Sequence, residues 1–126
     1  MFETLDLIMN ENIAKHMVSF ATEFVVKERR DRWIGILSNH KSKNFKLSSK
    51  LYEHLNRSFC VRNDDLVAVT TDDVVGVFYD FFDAPREMNF AKAKELGLGS
   101  DAIFSIISGK HVVLFFHEHE NYELKK

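Results

Sequence analysis

The stretch SFCVRNDDLVAVTTDDVVGVFYDFF, residues 58–82, decides the fold class. It contains three runs rich in β-branched and aromatic residues, SFCVR, LVAVT and VVGVFYDFF, cut by NDD and TDD. Such side chains suit a pleated, half-buried surface, whereas Asn and Asp favour turns by hydrogen-bonding the local backbone. The spacing predicts a meander of three antiparallel strands.

Working outward, Asn10 or Asn12 can cap a helix in which Ile13, Met17, Phe20, Ala21, Phe24 and Val25 recur at helical spacing. This helix is expected over about residues 11–29, with Lys27, Arg29 and Arg30 suiting its carboxyl end. RWIGIL (32–37) reads as a strand, with continuation of the helix as its competitor, and SSKLYEHLNR (48–57) reads as a short helix. Beyond the meander, Asp83 is expected to cap a helix with Pro85 in its first turn and Gly97 ending it. SDAIFSIIS (100–108) reads as a shorter helix, and KHVVLFFHEH (110–119) as the last strand. Val112 to Phe116 is apolar on both faces, which predicts a mid-sheet strand paired with VVGVFYDFF or RWIGIL. The fold class is therefore α+β: a mainly antiparallel sheet of about five strands with helices packed against it. Phe78 and Phe115 are expected to be buried across the sheet from the first helix, touching Phe20 or Phe24.

At 126 residues, 45% apolar with 12 Phe, the chain reads as one globular domain with an aromatic-rich core. The single cysteine, Cys60, precludes an intrachain disulfide and fits a reducing cytoplasm, where it reads as a small buried hydrophobe. MFETLDLIMNEN has no basic leader region, so no signal peptide is expected, and no apolar run is long enough for a membrane helix. The net charge of -2 hides an asymmetry: 11 Lys+Arg against 7 Asp+Glu over residues 1–63, then 6 against 12 over residues 64–126.

Catalytic motifs are missing. GLGS (97–100) follows a helix and lacks a phosphate-loop ending, and no serine sits in a Gly-x-Ser-x-Gly turn. In FFHEHE, His117 and His119 share one strand face and could chelate a metal with a nearby carboxylate, as in a metal-binding or hydrolytic domain. A third ligand is not evident, since His111 would lie about 20 Å from His117 along a strand. No cofactor is implied. The basic runs KERRDR and HKSKNFK admit nucleic-acid binding, but a pI of 6.3 is low for a dedicated binder.

The acidic residues point elsewhere. Antiparallel strands would bring Asp64, Asp65, Asp80 and Asp83 to one end of the meander, where carboxylates call for Arg62 or a basic partner. Asp80, flanked by Phe78, Tyr79, Phe81 and Phe82, is the expected anchor, with Tyr79 beside it. Turn and cap chemistry accounts for many of the same acids. The reading that follows is a non-enzymatic protein-binding domain with no membrane partner. It would act as an inhibitor or immunity-type protein, an antitoxin of bacterial kind, against a basic partner such as a toxin nuclease.

Overall fold

The computed structural model describes residues 13, 15–38, 47–80, 85–106, 110–116 and 120–125. Among the described residues, six antiparallel strands form one sheet: β1 (Cys60–Arg62), β2 (Val75–Tyr79), β3 (Arg86–Asn89), β4 (Ala102–Ile106), β5 (His111–Phe115) and β6 (Asn121–Lys125), in the order β1-β6-β5-β4-β2-β3. Among the described residues four α-helices accompany it, α1 (15–24), α2 (Arg30–Ser38), α3 (Leu47–Glu53) and α4 (Phe90–Gly97), with short 3-10 turns at Lys27–Arg29 and Arg57–Phe59. The α+β class therefore holds, with six strands rather than about five.

Alternation along the strands divides the core into two. On one face, Val77, Tyr79, Ile103, Val112, Leu114 and Leu124 pack against Met17, Phe20 and Phe24 of α1, Trp33 of α2 and Leu51 of α3. On the other, Phe78, Phe104, Val113 and Phe115 pack against Phe90 and Ala93 of α4 and against Leu66 and Val69. Phe78 and Phe115 are thus buried on the face opposite α1, because they fall on the other parity of their strands from Val77 and Leu114.

Four expectations are corrected. LVAVT is not a strand: Leu66 and Ala68 take positive φ angles of 53° and 57°. The segment crosses from the β1 edge to β2 as an irregular cover, burying Leu66 and Val69 on the sheet. RWIGIL is helical and lies within α2, where Trp33 Nε1 donates to His54 Nδ1 at 2.9 Å and so ties α2 to the end of α3. AIFSI is strand β4, fully buried between β2 and β5, and a run apolar on both faces carries no period to separate it from a helix. As a result β5 pairs with β4 and β6, not with β2 or RWIGIL.

The carboxyl-terminal NYELK adds β6, a strand not legible beforehand. Asn89, not Asp83, caps α4, its side chain accepting from Lys92 N at 2.9 Å, while Pro85 leads into β3. Gly97 is the last helical residue, and Gly99 takes the left-handed φ of 81°. Gly97 is needed for packing, since a Cβ there would meet the Phe115 ring at 2.8 Å.

Candidate interaction surface at one end of the sheet

The register fixes which residues lie together. Arg62 pairs with Tyr122, Phe115 with Asn121 and Ala102, Tyr79 with Ile103, and Phe78 with Arg86. One end of the sheet, here the upper end, therefore holds the finishes of β1, β2 and β5 and the starts of β3, β4 and β6. The described connections at this end carry Asp64 and Asp65 after β1, Asp80 after β2, Asp101 before β4 and Glu120 before β6. Arg62 and Arg86 are the strand-end cations beside them.

Asp64 and Asp80 share this end but do not touch. β1 and β2 stand four places apart in the sheet, which separates them by about 19 Å. Each has its own counter-charge. Arg62 Nε donates to both carboxylate oxygens of Asp64 at 3.0 Å, and Arg62 Nη2 lies 3.7 Å from Glu120. Asp64 also accepts from Asn121 N at 3.1 Å, and Asn121 Nδ2 donates to Asp64 O at 2.7 Å, which locks the β1 end to β6. The Arg62 hydrogen bond, helped by the Asn121 N–H, holds the Asp64 carboxyl below its ordinary pKa. Arg86 Nη2 reaches Asp80 at 3.2 Å while its guanidinium sits over the Phe78 ring.

Asp80 is 21% exposed and Asp64 40%. Asp65 is exposed and has no ion-pair partner among the described residues. Tyr79 is wholly buried in the α1-side core, which corrects its assignment to a partner-contacting surface. Asp83, His117 and His119 lie outside the described residues. Asp72 and Asp73 stand at the opposite, lower end, where Lys94 Nζ contacts Asp72 at 2.7 Å.

Two buried polar pairs escaped the sequence because their partners are distant in the chain. His16 Nδ1 lies 3.0 Å from Ser105 Oγ, joining α1 to β4. Ser105 is fully buried, and the contact ties α1 to the sheet. His111 Nε2 contacts the Glu123 carboxylate across β5 and β6, and Asn63 Nδ2 approaches the same carboxylate at 3.4 Å. Burial pushes the half-buried Cys60 thiol up to about 11, which disfavours the reactive thiolate. Among the described residues no group of three or more His, Cys, Asp or Glu side chains could hold a metal ion, and no helix is long and apolar enough to cross a membrane.

Compared with protein-family models, with curated proteins and with solved structures, the chain matches none.

Proposed function

We propose that this chain is a non-enzymatic protein-binding domain whose acidic sheet end engages a basic partner, in the manner of an inhibitor or immunity protein that neutralises a toxin nuclease in the cytoplasm. The observation that carries this reading is the row of acids at the upper end. Four separate connections deliver Asp64, Asp65, Asp80, Asp101 and Glu120 to the ends of neighbouring strands. These are spread over about 19 Å, which matches the breadth of an interface burying about 800 Å² per partner. A nuclease surface built for a polyanion is basic and so complements such a row.

The test begins with affinity capture to identify the partner. Asp65→Asn, Asp101→Asn and the double variant are then compared in binding kinetics at two salt concentrations. The association rate should fall about tenfold for the double variant, with a weaker salt dependence. Unchanged rates and salt dependence across all three would leave the acids as turn and cap residues only.

A further inference from the structure

The single tryptophan is half of a proton-sensitive contact. Trp33 is 2% exposed, and of the other described side chains of α2 only Ile34, partly buried, packs on the core. Its Nε1–H donates to His54 Nδ1 at 2.9 Å, with the two ring planes at 60°. An indole N–H only donates, so Nδ1 accepts in this contact and carries no proton. His54 is held by its backbone. Its N–H donates to Leu51 O at 2.9 Å, and its C=O accepts from Val26 N at 2.9 Å. α3 in turn is fixed on the sheet, with Leu51 in the core and Tyr52 against Phe116 and Tyr122.

We propose that Trp33 and His54 form a latch between α2 and α3, closed while Nδ1 is bare and opened when the imidazole takes up a proton in mild acid. An imidazolium has an N–H at both nitrogens and nothing left to accept with. The buried Trp33 N–H then loses its acceptor, and an orphaned buried donor is disfavoured. Cation–π attraction does not replace the bond. The N–H edge of the indole is the positive rim of its quadrupole, whereas a cation is drawn to the ring face.

Among the described histidines, only His54 has a partner that cannot adapt. His16 faces the Ser105 hydroxyl, which can donate or accept, and His111 faces the Glu123 carboxylate, which an imidazolium still satisfies. No counter-charge secures an imidazolium at His54 either. The charged groups on the segments around it are Glu23 at the end of α1, Lys27, Glu28 and Arg29 in the turn that follows, Arg30, Asp31 and Arg32 on α2, Lys50 and Glu53 on α3, and Arg57. Most are cations, and among the described residues the imidazole bonds only Trp33. The latch goes beyond the basic-partner reading, because it needs no partner and is measured on the purified chain alone.

The chain has one tryptophan, so its indole N–H resonance reports this site without ambiguity. Histidine side chains change charge between about pH 8 and pH 5. Over that interval the indole N–H should lose protection from solvent exchange about tenfold, measured by NMR against free tryptophan at the same pH. The loss should share its midpoint with the titration of the His54 ring resonances. His54→Asn offers an uncharged amide oxygen as acceptor and should keep the protection throughout. His54→Phe fills the site without an acceptor and should show the acid behaviour already at about pH 8. Protection that changes by less than about twofold in the parent overturns the latch, whether or not the variants fold. So does a loss that follows another histidine, or an equal loss in the parent and His54→Asn.

Discussion

Single residues show how closely the two cores are built around the sheet. A Cβ on Gly76 would sit 2.5 Å from Ser105 O and 2.8 Å from Phe104 Cζ, so Gly76→Ala must push β2 away from β4. Overpacking of this kind costs about 1–3 kcal/mol. Gly35 in α2 has nothing within 4 Å of such a Cβ, so Gly35→Ala should be neutral or stabilise by up to about 1 kcal/mol through helix propensity. Urea unfolding of the two variants checks the opposite signs. His16 gives a pH signature. Burial lowers its pKa from 6.5, outweighing the opposing charge of Glu87. The unfolded chain therefore takes up the proton first as pH falls. The stability contributed by neutral His16 is full above pH 6.5 and is lost as pH falls toward the folded-state value. The urea midpoint should drop from about pH 7.5 to about pH 5, and less so in His16→Gln, which does not titrate.

Among the elements, β5 and α4 depend on each other. Phe115 lies beneath Gly97 at the carboxyl end of α4, in the core that also holds Phe90 and Phe104. Phe115→Ala removes a fully buried ring from a central strand and should cost about 3–5 kcal/mol. That is a large share of the roughly 5–15 kcal/mol available to a domain. A loss below about 1 kcal/mol in urea unfolding would show that the packing of α4 on β5 contributes little. The loop cover over residues 63–74 is a weaker element. Of its side chains only Leu66 and Val69 are buried, and its order comes from Asn63, whose side chain donates to Val67 O and accepts from Val67 N, both at 2.9 Å.

For the whole molecule, β6 holds one edge of the sheet. It is the only described strand that pairs with β1, it completes β5, and its Glu123 and Asn121 hold His111, Asn63 and Asp64. Ending the chain before Asn121 would strip β1 of its partner and leave the acceptor of the buried His111 missing. The truncated chain should lose cooperative thermal unfolding in circular dichroism. Retention of a sharp transition would show that β1 and β6 form an appendage to a self-sufficient four-stranded sheet. The acidic upper end is a property of this scale too, since no one connection supplies more than two of its carboxylates.

Local chemistry made parts of this plan readable from the sequence. The helical spacing of Met17, Phe20, Ala21 and Phe24 marked α1, and the apolar runs in VVGVFYDFF and KHVVLFFHEH marked β2 and β5. Asp64 and Asp65 followed from turn preference. Other parts had no local signal. Ala102 to Ile106 is buried on both faces, so nothing in its pattern separates strand from helix, and only its place between β2 and β5 decides. Asn121 to Lys125 looks polar, yet Leu124 joins the core, Asn121 N and Nδ2 donate to Asp64, and Glu123 meets His111. Those contacts exist only after the chain has folded back. The row of acids was foreseen as a tight group because a meander was expected. The connection from β1 to β2 instead crosses the three intervening strands β6, β5 and β4, which set the acids apart. Which end a residue occupies depends on strand direction, but which neighbours it meets depends on strand order, and strand order is fixed by the packing of distant segments.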